Sequence, residues 1–171
     1  MKPVISIIMG STSDLPVMEA ALNFLEQQKI PFEVNALSAH RTPHQVLSFA
    51  EQAAERGIKV IIAAAGGAAH LPGVIAAATS LPVIGVPIKA SISMDGWDSM
   101  LSMFQMPPGI PVATVGLNAA QNAAILALQI LGTGDAEAAQ KVKAYKAGLE
   151  KKIEKANAEL AQRKEWKIKT N

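Results

Sequence analysis

Three short segments of this chain place ionisable groups, hydroxyls or bare backbone where they could act on an anionic substrate. His40 and Arg41 stand side by side within Ser38-Ala39-His40-Arg41-Thr42-Pro43. The pair joins an imidazole, which exchanges a proton near neutrality, to a guanidinium suited to phosphate. From Ala64 to Ala69 no residue reaches beyond a methyl group, and His70 follows directly. Backbone of that kind lets a flat ligand approach closely, and its N–H groups can donate to a small anion. Gly10-Ser11-Thr12-Ser13-Asp14 sets hydroxyls and free N–H groups before a helix, where the dipole and unpaired donors favour an anion such as phosphate. Asp14 could equally hydrogen-bond a ribose diol. Each segment also has a plainer account. Ser11 and Asp14 match the S-x-x-D capping pattern, the Gly66-Gly67 run could serve a tight crossover, and His70 could be a satisfied buried histidine. A lone His-Arg pair can be structural, and His44, in a first helical turn, is expected to face water without a role.

Missing groups narrow the chemistry. The chain has no cysteine, which removes disulfides, thiolate metal sites and thiol nucleophiles. No paired carboxylates, no Ser-His-Asp order and no metal-ligand set is apparent, so glycoside hydrolysis, acyl transfer and metal-assisted hydrolysis all lack parts. The first turn carries only Gly10, so it is not a G-x-G-x-x-G fingerprint, and no G-x-x-x-x-G-K-[ST] occurs. What remains is proton transfer by a histidine on an anion-anchored substrate.

The elements that must position these groups can be read from periodicity. At 171 residues, half of them hydrophobic, the chain is expected to fold around one core. Five short apolar runs, Val4 to Met9, Phe32 to Leu37, Lys59 to Ala64, Pro82 to Val86 and Val112 to Val115, alternate with helical patterns. That alternation predicts an α/β fold, a parallel sheet covered by helices on both faces. Ligands bind beyond the carboxyl ends of such strands, where the three segments and Pro87-Ile88-Lys89 all fall. The first helix shows the stripe Val17, Ala20, Ala21, Phe24, Leu25. The second opens on Thr42, Pro43 and Gln45, a predicted capping box, and stops at Gly57. Residues 65 to 80 and 91 to 111 read as less regular loops.

The helix from Ala119 to Leu131 is apolar around most of its circumference and must be covered on several sides. A subunit interface is the expected cover, with a central core helix as the alternative. From Asp135 to about Arg163 a charged helix of roughly 40 Å should overhang a domain about 35 Å across. The expected division is therefore an α/β catalytic domain over 1–134 and a helical extension over 135–171, lying on its own or a neighbouring subunit. Residues 1–134 hold 6 basic and 8 acidic side chains and the remainder 10 and 6, so the net charge of +2 is a property of the tail. That balance speaks against a nucleic-acid partner. No apolar run reaches a membrane-spanning length, and a soluble, cytoplasmic protein is expected.

Taken in order, GS-x-SD at Gly10 to Asp14, SAHRTP at Ser38 to Pro43, GGAAHLPG at Gly66 to Gly73, GVP at Gly85 to Pro87 and DS-x-x-S-x-x-QMP-x-GIPV at Asp98 to Val112 resemble the class I N5-carboxyaminoimidazole ribonucleotide mutases of purine biosynthesis. The likeness runs from residue 4 to about residue 131; the tail is similar only in type. It implies a flavodoxin-like α/β/α sandwich with sheet order 2-1-3-4-5, a homo-octamer, no metal or cofactor, and a functional link to the synthetase that makes the substrate. The implied reaction moves a carboxylate from the exocyclic nitrogen to ring carbon 4 of an aminoimidazole ribonucleotide. By position, Ser11, Ser13 and Arg41 would hold the 5′-phosphate and Asp14 the ribose hydroxyls, with Ser38 among the substrate-binding residues. His40 would shuttle the proton, and Gly66, Gly67 and His70 would surround the migrating carboxylate. Ala64, where many relatives have Gly, and Pro108 depart from the pattern without removing a reacting group. Rival expectations are an aminoimidazole ribonucleotide carboxylase that takes free CO2, a non-catalytic phosphoribosyl-ligand sensor, and an assembly scaffold.

Overall fold

A computed structural model describes residues 2–163. Strands β1 (Ile5–Met9), β2 (Phe32–Ala36), β3 (Val60–Gly66), β4 (Val83–Ile88) and β5 (Ala113–Thr114) form one sheet in the order β2-β1-β3-β4-β5. Every neighbouring pair is parallel. This is the expected flavodoxin-like order. The three central strands read as unbroken apolar runs because helices bury both faces, so no polar alternation is needed. Ser6 is the polar exception. Its buried hydroxyl donates to Glu33 Oε1 at 3.0 Å, and Arg56 pairs with the same oxygen.

Side chains alternate across the sheet and divide the core in two. On one face Ile62 and Ala64 join α1 (Leu15–Gln27) and α5 (Ala120–Leu131). On the other, Ile61, Ala63 and Ala65 meet α2 (Pro43–Gln52), α3 (Leu71–Ala78) and α4 (Trp97–Phe104). Helix α1 buries Met18, Ala21, Phe24 and Leu25, while Ala20 is exposed, so the buried stripe sits slightly off the expected one. Helices α3 and α4 lie within the two stretches expected to be irregular. Helix α3 is apolar on nearly every side and has no readable stripe. Helix α4 turns Trp97, Leu101 and Phe104 outward and buries Ser99 and Met103, the reverse of the usual pattern.

Two local expectations are corrected. The capping box at Thr42 does not form: α2 has no side-chain N-cap bond, because the Thr42 hydroxyl is engaged by the backbone of Ser38. Helix α5 finds cover within its own chain, the alternative to a subunit interface, with Ile125, Leu126, Ile130 and Leu131 left partly exposed. The sheet, α1 and the first turns of α6 (Ala136–Ala161) pack on it, burying Ala120, Ala123, Ala124, Ala127 and Leu128. The small alanines let three neighbours approach at once. The second helix stops short of its expected end: α2 closes at Gln52, and turns over 53–57 carry the chain to Gly57. Gly57 takes φ +98°, and the N–H groups of Gly57 and Ile58 turn back to the carbonyls of Ala54 and Ala53.

Helix α6 is capped by Asp135, whose Oδ1 accepts from the N–H groups of Glu137 and Ala138. Its first turns are tied down by Ala138 and by Tyr145, which meets Phe24 edge-on at 5.1 Å. Such an aromatic pair contributes about 0.5–1.5 kcal/mol beyond its buried area. Beyond Gly148 nearly every described residue of the helix is exposed, Leu149, Ile153 and Leu160 among them. Of the expected 135–171 extension, residues 164–171 lie outside the described residues.

Candidate active site

Four loops at the carboxyl ends of β1 to β4 open on one cavity of about 480 Å³. The first begins at Gly10. Ser11 Oγ accepts the N–H of Ser13 at 3.3 Å and caps the single 3-10 turn Thr12–Asp14. The capping account therefore holds for Ser11, but not for Asp14, whose carboxylate makes no capping bond to α1. Asp14 is only 5% exposed, and its carboxylate accepts from the Ser13 hydroxyl at 3.4 Å. Burial holds its carboxyl above the usual carboxylate range; the Ser13 hydroxyl and the Ser11 backbone offset this only partly.

The second loop is closed by hydrogen bonds between Ser38 and Thr42. Thr42 Oγ1 accepts the N–H of Ser38 at 3.0 Å and donates to the Ser38 carbonyl at 3.1 Å. Ser38 Oγ accepts both the backbone N–H and the Nε–H of Arg41. A terminal nitrogen of Arg41 donates to the carbonyl of Gly10 at 2.9 Å, which joins the second loop to the first. Two donors of the guanidinium fork are thus spent on the protein, and they hold it at the cavity wall. His40 projects from the apex of this closed turn and is exposed; His44 faces solvent away from the cavity, as expected.

In the third loop the strand runs as far as Gly66, and Gly67 turns the chain with φ +62°. A Cβ on Gly66 would lie 2.6 Å from that of Ala90 and 3.0 Å from the carbonyl of Ile88, so this floor closes only without a side chain. Ala64 lies deep in the sheet rather than at the cavity, and its extra methyl leaves the cavity wall unchanged. His70 stands at the start of α3 but makes no capping bond. It is exposed rather than a satisfied buried histidine, and its Nδ1 lies 2.8 Å from Nε2 of His40 with the rings at 81°. A hydrogen bond at that distance needs one N–H and one lone pair, so a single proton occupies the contact and the tautomers of the two rings are linked.

The cavity is lined by Ser11, Ser13, Asp14, Ser38, His40, Arg41, Gly66 and His70. Gly67 is the exception. It lies behind the surface, and its N–H is used by Ser93 Oγ at 3.2 Å, so it is not an open donor to a small anion. Sequence reasoning named no residue of the fourth wall, which is made by Ala90, Ser91 and Ile92. Their position directly after β4 was the available signal. Among the described residues no group of three or more His, Cys, Asp or Glu gathers as a metal-binding cluster.

Comparison with known proteins places this geometry. The profile of a family described as AIR carboxylase matches residues 4–152. The chain is 56% identical over 153 residues to N5-carboxyaminoimidazole ribonucleotide mutase of Pyrococcus horikoshii, covering 90% of this chain and 86% of that one. It is also 56% identical to phosphoribosylaminoimidazole carboxylase of Saccharomyces cerevisiae over 84% of this chain, but only 25% of the yeast protein. The crystal structure of Treponema denticola PurE superposes with a TM-score of 0.81 at 31% identity, over 94% of this chain and 99% of that one.

Proposed function

This chain belongs to the AIR carboxylase family, and from that premise we propose that its cavity converts N5-carboxyaminoimidazole ribonucleotide to 4-carboxy-5-aminoimidazole ribonucleotide in purine biosynthesis. The observation that carries the reading is the meeting of His40, His70, Arg41 and the side-chain-free Gly66 floor around one space. Arg41, Ser11 and Ser13 hold the 5′-phosphate, Asp14 takes the ribose hydroxyls, and Ser38 fixes the guanidinium. This leaves the imidazole of the substrate between the two histidines and the floor.

In the first half-reaction a histidinium at His40 protonates the exocyclic nitrogen. The C–N bond breaks, its electron pair stays on nitrogen, and CO2 is released into the cavity. Ring carbon 4 then attacks that CO2 to form the C–C bond, and neutral His40 removes the proton from the same carbon. One imidazole thus serves as acid and then base. The contact with His70 sets which ring nitrogen carries the proton. General acid-base catalysis supplies about 10² to 10⁴-fold, and the remainder comes from holding CO2 against the ring away from water.

The reading includes a homo-oligomer, with the octamer as its size and the distal part of α6 reaching a neighbour. Ile92, Met94, Trp97, Leu101 and Phe104, in the loop after β4 and on α4, are exposed apolar side chains, and exposed apolar surface favours association. Light scattering that returns the mass of one chain would remove this element. Among the described residues no helix is long and apolar enough to cross a membrane, and a cytoplasmic location goes with the proposal. In yeast the matching region is a quarter of a longer polypeptide, and the reading includes a functional link to the synthetase that makes the substrate.

The test follows ultraviolet absorbance as purified protein meets the N-carboxylated ribonucleotide without added bicarbonate. Appearance of the ring-carboxylated product is expected. Strict dependence on bicarbonate would favour a carboxylase, the activity named for the yeast relative, and binding without turnover would favour a sensor.

A further inference from the structure

Ser93 lies outside the cavity lining, yet its hydroxyl is fully used. Oγ accepts the N–H of Gly67 at 3.2 Å and the N–H of Ala90 at 3.1 Å, and it donates to the carbonyl of Ile88 at 3.4 Å. A hydroxyl offers one donor and two acceptor sites, and here all three are engaged. Gly67 belongs to the loop after β3 and Ala90 to the loop after β4, so one side chain clamps two separate walls of the same cavity. The clamp sits beside a close approach of the two walls, since a Cβ on Gly66 would run into Ala90. The backbone N–H of Ser93 returns to the carbonyl of Ala90 at 3.0 Å and fixes the serine within its own loop.

We propose that Ser93 is a positioning residue that seals the seam between these two walls and so retains CO2 between the two half-reactions. The inference rests on the mutase reading above. Without the hydroxyl, two backbone N–H groups lose the acceptor they have among the described residues, and they draw in water. Water entering the seam opens an exit for CO2 after the C–N bond has broken. The aminoimidazole ribonucleotide and bicarbonate would then leave separately. The clamp therefore governs the fate of the intermediate rather than the strength of substrate binding.

Ser99 provides the control. It is fully buried, and its hydroxyl lies 3.1 Å from the same Ile88 carbonyl and 3.0 Å from that of Gly96, but it holds no amide of either cavity wall. Substrate labelled with heavy carbon in the carboxylate is converted in unlabelled bicarbonate by wild type, Ser93→Ala and Ser99→Ala, and the label remaining in the product is read by mass spectrometry. Ser93→Ala should lose about tenfold more label than wild type, with a matching rise in free aminoimidazole ribonucleotide and little change in KM. Ser99→Ala should melt at lower temperature and lose no more label than wild type. Equal retention in Ser93→Ala and wild type, or equal leakage in both variants, overturns the assignment. A wild type that scrambles its own label would instead defeat the retention step of the mutase reading. Should Ser93→Ala fail to fold, amide exchange in the wild type decides: protected N–H groups at Gly67 and Ala90 support the clamp, and fast exchange at both removes it.

Discussion

The two halves of the cavity are built by opposite means. The loops after β1 and β2 present side chains: hydroxyls at Ser11 and Ser13, the buried Asp14 carboxyl, and Arg41 braced by Ser38 and Gly10. Apart from His70, the loops after β3 and β4 present small or apolar groups, Gly66, Ala68, Ala90, Ser91 and Ile92, and their seam is backbone closed by the absence of a Cβ at Gly66 and by a hydroxyl behind it. A charged, flexible phosphoribosyl group can be held by long side chains that adjust to it. A small neutral molecule such as CO2 offers no charge to grip, so it can only be enclosed, and enclosure requires rigid, close-fitting backbone. The histidine pair stands where the two kinds of wall meet.

If this division is real, substitutions on each side should fail in different ways. The largest effect belongs to His40 at the meeting point. His40→Asn should lower kcat by about 10² to 10⁴-fold while product binding, measured by calorimetry, largely survives; unchanged turnover would remove His40 from the chemistry. On the backbone side, Gly66→Ala forces a methyl against Ala90, costing about 1–3 kcal/mol of stability by overpacking. Displacement of the floor should also lower kcat by about 10²-fold, and an active, equally stable variant would show that the floor is not tight. On the side-chain side, Arg41→Met removes charge-assisted bonds worth about 1.5–3 kcal/mol, so KM should rise by about tenfold or more with a smaller change in kcat.

The smallest effect concerns pH and stability at Asp14. Burial raises its carboxyl in the folded protein, so the fold is penalised when the group is ionised. That penalty is complete above the raised value and vanishes below the ordinary carboxylate range. Asp14→Asn should therefore raise the melting temperature at neutral pH, and the gain should shrink as pH falls through the acid range. A constant difference at every pH would contradict a burial-raised carboxyl. The same variant should bind ribonucleotide more weakly if Asp14 holds the ribose.

The division also explains what could be read from the sequence. The three central strands were legible because strands buried on both faces are continuous apolar runs, while β2 and β5 are only partly buried; β3 and β4 each extend two residues further than expected and β5 is shorter than its apolar run. Helix α4 was hidden by its outward-facing Trp97, Leu101 and Phe104, since an exposed apolar stripe breaks the usual pattern. Helix α5 pointed toward a partner because periodicity counts the covered sides of a helix without saying which neighbours cover them. In the site, the side-chain half was legible residue by residue, since hydroxyl, guanidinium and imidazole announce their chemistry. The backbone half was legible only as a run of small residues. That the Gly67 N–H turns back to Ser93, 26 positions away, is a property of loop packing that no residue type reveals. The contact between His40 and His70, 30 positions apart, likewise appears only when the strand order brings their loops together.

The arrangement of substrate in the cavity is the most direct test of the whole account. A crystal structure with the ring-carboxylated ribonucleotide bound should show the phosphate against Ser11, Ser13 and Arg41. Ring carbon 4 should be close to His40, with the carboxylate lying on the Gly66 floor beside His70. A phosphate seated elsewhere, or a ring turned away from both histidines, would contradict it.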